Sequence, residues 1–139
     1  MACPYFYPVE RAPLAQGKQT ALMPLGDVWS GICRARPDAE WTPDPHTIHQ
    51  LCNFGYAREK CGRVPAAGPD AMRFSIAGDR DDLIRIYWVM EKAHMPFAHG
   101  ALEYSRAEAA FRTAHPEACA ARQAEAYMTS YLRRKEGRA

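Results

Sequence analysis

Four cysteines in the first half of the chain carry the chemistry that the sequence indicates most directly. They are widely separated, at Cys3, Cys33, Cys52 and Cys61. Thiolate sulfur binds zinc and the irons of iron–sulfur clusters, and both kinds of site need four ligands that meet at one place. The C-x-x-C pairs of structural zinc sites and the close spacings of ferredoxins are missing. The spacing permits a cluster without identifying one. Because all four ligands are sulfur and the zinc-type pairs are missing, we predict an iron–sulfur cluster, [4Fe-4S] preferred, with structural zinc as the alternative.

The same cysteines also have a simpler interpretation, because free cysteine is among the most buried residue types. It fits Cys52, on an apolar helix stripe, and Cys119, in an alanine-rich helix where no neighbouring base would activate the thiol. It fits Cys3 and Cys61 less well, because both lie in segments without an apolar pattern. A metal-free protein-interaction module with buried thiols is therefore the second hypothesis.

Histidines offer another route to zinc. His46, His49 and Cys52 recur at every third residue, so two neighbours on one helix could bind an ion. Histidines near a helix start and off its buried face are more often solvated or hydrogen-bonded, which is the interpretation we prefer. The remaining histidines fall near prolines or a glycine in expected loops and are interpreted as structural: His94, His99 and His115.

Composition and charge narrow the class of protein and its partners. The 139 residues are 47% hydrophobic and 24% charged, with a formal net charge of +2. These values predict a globular chain with no nucleic-acid partner and no membrane association, leaving an unidentified protein or redox partner. The basic run Arg133–Lys135 is interpreted as a solvated helix end. An N-terminus without the features of a secretory signal, together with five cysteines, predicts a reducing, cytoplasmic location.

No catalytic signature accompanies the cysteines. The sequence lacks a phosphate-binding loop, a nucleophile elbow, a dinucleotide-binding glycine motif and a zinc-protease helix. Asp79, Asp81 and Asp82 lack the glycine and glutamate of a calcium-binding loop and are interpreted as a charged turn. The chain is therefore not expected to be an enzyme by itself. Electron transfer, redox sensing and structural stabilisation stay open as roles for a cluster.

The segments that would position the first two cysteines are expected to be irregular. Nine of the eleven prolines fall at or before Pro69. Because proline limits regular backbone pairing, residues 5–45 are predicted to be mostly loop, with one short helical turn over residues 28–33. A half of this kind buries little apolar surface for its length, so a metal would supply the missing constraint.

A short helix is predicted to present Cys52. Asp44 is a candidate N-cap and Pro45 suits the first helical position, and the apolar residues that follow have helical spacing. Nine residues of unbroken helix would separate Cys52 from Cys61 by about 13 Å. The helix must therefore end near residues 58–60 if both cysteines bind one centre.

The second half has the alternation of a β-hairpin. Residues 72–76 and 83–91 are predicted to pair across a turn at 78–82, followed by a break at 95–100 and a possible third strand at 102–104. The second strand would bury one face, made of Ile84, Ile86, Trp88 and Met90.

Two helices are predicted at the C-terminal end. Ser105 and Glu108 have the spacing of a capping box, which predicts a helix over residues 106–114. Pro116 disfavours helical backbone before it, so a second helix is expected over residues 117–135. Its buried stripe would be Ala120, Ala124, Tyr127, Met128 and Tyr131.

These elements predict an α+β fold. It has a loop-rich N-terminal half with one short helix, a β-hairpin or three-stranded sheet, and two C-terminal helices around a single core. One domain is expected over residues 1–139, with the cysteine-bearing half at 1–65 and the hairpin and helices at 70–139.

Overall fold

The computed structural model describes residues 1–12, 23–36, 38–58 and 60–136. Its elements, in chain order, are β1 (Phe6–Arg11), β2 (Trp29–Cys33), α1 (Pro45–Thr47), a π-helical turn (Ile48–Cys52), β3 (Ala71–Arg80), β4 (Leu83–Lys92), β5 (Met95–Ser105), β6 (Ala110–Phe111) and α2 (Ala118–Glu136). Two antiparallel sheets and a long C-terminal helix make the described part mostly β. The predicted α+β layout, with a loop-rich N-terminal half and two C-terminal helices, is therefore wrong.

A two-stranded sheet occupies the region that was predicted to be loop. In this small sheet β1 and β2 pair antiparallel, with Phe6 opposite Cys33 and Pro8 opposite Gly31. The predicted helical turn over residues 28–33 is also wrong, because burial alternates along β2 as in a strand. Pro8 is accommodated next to a shift of register, where a missing N–H disturbs the ladder least. The part of the predicted loop at 13–22 lies outside the described residues.

Gly31→Ala is expected to destabilise the small sheet strongly. A Cβ at Gly31 would lie 2.1 Å from the carbonyl oxygen of Tyr7 and 2.8 Å from Cα of Pro8. Both are backbone atoms, so the strands themselves would have to separate, at a cost of about 3 kcal/mol in the free energy of unfolding. Urea denaturation measures the loss. Gly62→Ala is the matched control, because a Cβ there meets nothing within 4 Å; equal losses in the two variants would refute the explanation.

The helix that carries Cys52 begins as predicted and ends early. Asp44 is its N-cap, with Oδ1 accepting the N–H of Thr47 at 2.9 Å, and Pro45 follows at the first helical position. After one turn the backbone becomes π-helical and stops at Cys52, because Gly55 with φ of 72° turns the chain away. The predicted end at 58–60 was several residues too late.

The large sheet has the strand order β3-β4-β5-β6 and confirms the predicted hairpin. The hairpin turn consists of Asp81 and Asp82 alone, while Gly78 belongs to β3 and follows a register shift. Of the predicted buried face of β4, Ile84, Ile86 and Met90 are buried, while Trp88 is half-buried.

The predicted break at 95–100 is wrong, because those residues form the first half of β5. The chain reverses before them at Ala93 and His94, whose φ values of 52° and 64° are those of a tight two-residue hairpin turn. Pro96 is tolerated there because the register with β4 shifts between Met90 and Glu91. The possible third strand at 102–104 lies inside β5.

The predicted helix at 106–114 is also wrong. Ser105 Oγ does accept the N–H of Glu108 at 3.2 Å, so the capping contact forms. Asp82 takes the N–H of Ala107, however, and Ala109 has a φ of 52°, which ends the turn and leads into β6. A capping box specifies only a first turn, and here the next residues pair with β5.

The long helix α2 is confirmed, and it packs against β1 and β3. Ala120, Ala124 and Met128 of the predicted stripe are buried, while Tyr127 and Tyr131 are half-buried. The core joins these residues to side chains of both sheets. The basic run at its end is not simply solvated, because Arg133 and Arg134 pair with the buried carboxylate of Asp27. Among the described residues, no helix combines the length and apolar character needed to cross a membrane.

Asp79 joins the end of the hairpin to α2 and should make the fold sensitive to acid. Its carboxylate is 2.7 Å from Arg106 Nη1 and 2.9 Å from Lys135 Nζ, and it accepts the hydroxyl of Tyr131. These partners, Arg106 first, hold the pKa of Asp79 well below its ordinary range. The resulting stability is complete above the unfolded-state pKa of about 3.9 and is lost as pH falls below it.

Asp79→Asn is expected to lower the free energy of unfolding at pH 6 by about 2 kcal/mol. It should also flatten the loss of stability between about pH 5 and pH 2, measured by urea denaturation across that window. Asp81→Asn, in the exposed turn, is the control and should leave both quantities nearly unchanged. If Asp79→Asn loses stability across that pH window as steeply as the wild type does, the ion pairs of Asp79 have no role in acid stability.

Candidate metal centre

One small cavity is lined by all four of the cysteines that the sequence singled out. Its volume is about 20 Å³, and its remaining walls are Phe6, Ala35, Trp41, Leu51, Ala57, Arg63 and Val64. The cysteines come from the N-terminal segment, the end of β2, the end of the π-helical turn and the loop that follows. All of them are free thiols. The fold thus gathers residues up to 58 positions apart in sequence, and metal binding there stays a prediction.

Backbone hydrogen bonds hold Cys3 and Cys33 at the cavity. The N–H of Cys3 donates to the carbonyl of Cys52 at 3.0 Å, so two of the four cysteines are tied directly. The carbonyl of Cys3 accepts the side-chain amide of Gln123, at 2.7 Å. Cys33 exchanges two backbone hydrogen bonds with Trp41, at 2.7 and 3.2 Å. Each cysteine is therefore fixed by groups outside its own segment.

Asn53 fixes the position of Cys52, its neighbour. The side chain is 1% exposed and makes three hydrogen bonds. Its Oδ1 accepts the N–H of Trp29 at 3.0 Å, and its Nδ2 donates to the carbonyls of Trp29 at 3.0 Å and Ile48 at 2.8 Å. The amide thus substitutes for a missing strand partner and joins the small sheet to the π-helical turn.

The loop with Cys61 is a short turn held by Arg58. The N–H of Cys61 donates to the carbonyl of Ala57 at 2.6 Å. The Arg58 guanidinium pairs with Asp70 at 2.7 Å and donates to the carbonyl of Gly68 at 3.0 Å. These contacts bring the chain back after the early helix end. Cys61 therefore reaches the cavity that Cys52 lines.

Sequence reasoning missed Asn53, Arg58 and Gln123. Gln123 had a detectable signal, because it is a polar residue three positions after Ala120 on the buried side of an amphipathic helix. It is fully buried and donates to the carbonyls of Cys3 and Phe6. Asn53 and Arg58 act through carbonyl and carboxylate partners that only the folded backbone brings near.

Electrostatics favours neutral thiols until a metal binds. Burial is the main cause that raises the pKa of Cys3 and of Cys52 to about 12, and the other cavity thiols raise both further. Among the described residues that line the cavity, Arg63 alone carries a charge. A metal would have to displace the thiol protons, so its binding should be stronger at higher pH.

No group of three or more His, Cys, Asp or Glu side chains in the described ranges already has the arrangement of a metal-ion site. No protein-family model, curated protein or solved structure matches this chain. What the chain does must therefore be inferred from its own residues and their geometry. The donor set of the cavity, four sulfurs in a lining whose other described residues are apolar except for Arg63, is of the type that an iron–sulfur cluster uses.

The histidines are not in that lining. His46 is exposed, and His49 lies beside Gln50 and Phe54, so neither shares the cavity with Cys52. His94 stacks on Tyr56 with ring centroids 4.2 Å apart. His115 Nδ1 accepts the N–H of Glu117 just before α2. A zinc site of histidines with Cys52 therefore has no support in this geometry.

Cys119 lies outside the cavity lining. Its thiol donates to the carbonyl of Tyr5 at 3.6 Å, and burial raises its pKa to about 11. A raised pKa is the opposite of what a reactive thiol needs. Cys119 therefore serves as a matched control for the four cavity cysteines.

Proposed function

We propose that this chain binds an iron–sulfur cluster, [4Fe-4S] preferred, through Cys3, Cys33, Cys52 and Cys61. One observation carries the proposal: four free thiols from four separate segments line the same cavity, and none of the described residues in that lining carries a carboxylate or an imidazole. Sulfur-only ligand sets suit iron–sulfur clusters and zinc. The absence of C-x-x-C pairs favours the cluster, because structural zinc sites are typically built from them.

Three roles are compatible with such a centre: electron transfer to or from a protein partner, redox sensing, and stabilisation of the small sheet. The solvent exposure and hydrogen bonding of a cluster set its potential. Cys3 and Cys61 are half-buried while Cys33 and Cys52 are buried, so the centre would lie near the surface on one side. Such a position would suit electron exchange with a partner as well as a structural role.

Purification without oxygen tests the proposal. The protein should be brown, with broad absorbance at roughly 400 nm that bleaches on reduction with dithionite. Structural zinc is the alternative and would give a colourless protein with bound metal. A colourless, metal-free protein that resists reconstitution with iron and sulfide would refute both metal hypotheses. The second hypothesis, a protein-interaction module with buried thiols, would then stand.

A further inference from the structure

Arg63 is held at the wall of the four-cysteine cavity. Its Cζ lies 4.8 Å from the ring centroid of Trp41, which lines the same cavity. One terminal nitrogen donates to the carbonyl of Ala39 at 3.1 Å. The cation–π contact and the hydrogen bond together restrain the guanidinium.

The Nε–H of Arg63 is buried, and no acceptor for it is found among the described residues. A buried donor on a charged group is costly when it is left unpaired. Neutral thiols accept hydrogen bonds weakly, whereas anionic sulfur accepts them well. The cavity that this residue lines contains four sulfurs that would become anionic once a metal displaced their protons.

We propose that Arg63 is the counter-charge of the metal centre and raises its reduction potential. Its Nε–H would donate to a cysteine thiolate or a sulfide of the cluster. The inference rests on the proposed function, since it concerns the same centre. It adds that the protein sets the reduction potential of the centre, which a purely structural metal site would not require.

The direction of the effect follows from charge. A cluster with four thiolates is negative, and reduction adds one more negative charge within a lining whose described residues are apolar apart from the cysteines and Arg63. A cation at that wall stabilises the reduced state more than the oxidised state, because the interaction grows with the charge it faces. Hydrogen bonds to the sulfurs act in the same direction. Removing Arg63 should therefore make the centre harder to reduce.

Spectroelectrochemical titration of the iron-loaded protein tests this. Arg63→Gln should bind as much iron and sulfide as the wild type and have a more negative midpoint potential. Arg63→Lys keeps the charge and should recover most of the shift. Arg34→Gln is the matched control, because Arg34 adjoins Cys33 but pairs with Glu40 and stacks on Tyr7 outside the cavity lining. Its potential should equal that of the wild type.

Equal potentials in the wild type, Arg63→Gln and Arg34→Gln, with full clusters in all three, would overturn the inference and leave the proposed function intact. Equal negative shifts in both glutamine variants would also overturn it, because they would reflect only overall charge. If Arg63→Gln does not load, Trp41→Leu removes the ring that holds the guanidinium. A drop in its potential supports the inference, and a wild-type potential refutes it. A wild-type protein without iron would refute the proposed function and this inference together.

Discussion

Replacing Cys61 by serine is expected to abolish iron binding while the large sheet and α2 stay folded. Cys61 lies in a short turn and lines the cavity with the three other cysteines. A serine hydroxyl has nearly the size of the thiol but is a much poorer ligand for iron, so the change removes a ligand and little packing. Loss of one of four ligands should reduce iron content to a small fraction of the wild-type value.

Hydrogen exchange would locate the consequence of that loss. Amides of β1, β2 and the loop before Cys61 should exchange faster, because a bound metal would tie those segments together in the wild type. Amides of the hairpin formed by β3 and β4 should be unchanged, because their pairing does not involve the cavity. This contrast distinguishes the loss of a local constraint on the N-terminal segments from general unfolding.

Cys119→Ser is the control for the cysteine series. Cys119 is also a free thiol, but it lies outside the cavity lining and contacts the carbonyl of Tyr5. Its replacement should leave iron content at the wild-type level. Equal iron loss in Cys119→Ser and Cys61→Ser, or none in either, would contradict the assignment of the ligands.

Asn53→Ala is expected to cause the largest loss of stability among single changes at the site. The substitution leaves the N–H and the carbonyl of Trp29 without their side-chain partner in a buried place, and the carbonyl of Ile48 keeps only the backbone N–H of residue 53. Each unsatisfied group costs about 1 to 3 kcal/mol, so the free energy of unfolding should fall by about 4 kcal/mol. Thermal and urea denaturation of the metal-free protein measure the loss without interference from a cluster.

Two variants sharpen that test. Asn53→Asp keeps the shape and the acceptor but loses both Nδ2 hydrogen bonds and buries a charge, so it should be as damaging as alanine. Gln50→Ala changes an exposed amide one helical turn earlier and should stay within about 0.5 kcal/mol of the wild type. A loss in Asn53→Ala no greater than in Gln50→Ala would show that the three hydrogen bonds do not hold Cys52 in place.

Local signals in the sequence predicted the elements whose causes are local. Asp44 and Pro45 mark the start of α1, the alternation through Ile84 and Ile86 marks β4, and the apolar spacing after Pro116 marks α2. In each case neighbouring residues supply most of the energy that selects the structure.

The sequence failed where pairing with a distant segment decides the structure. The prolines suggested loop, but β1 forms because β2 offers partners 18 to 27 residues away. Ala93 and His94 lack the glycine or asparagine that usually marks a tight turn, so β5 was divided at the wrong place. Ser105 caps a turn, but the residues after that turn pair with β5 and form β6 rather than a helix. Long-range pairing of this kind leaves little trace in local spacing.

The residues of the candidate site likewise fall into those that the sequence could predict and those that it could not. The four cysteines could be selected because sulfur is scarce and chemically distinct, which needs no knowledge of the fold. Three groups position them through backbone atoms elsewhere in the chain: Asn53 and Gln123 contact carbonyls 24 and 120 positions away, and Arg58 contacts the carbonyl of Gly68, 10 positions away. Residues that position a ligand in this way can be identified only once the folded backbone is known.

The most direct test of the central claim is a count of iron, acid-labile sulfide and zinc per chain in protein isolated without oxygen. The four-cysteine cavity predicts about four irons and four sulfides per chain, and only traces of zinc. Protein that is fully folded yet contains neither iron nor sulfide, and acquires neither on anaerobic reconstitution, would contradict it.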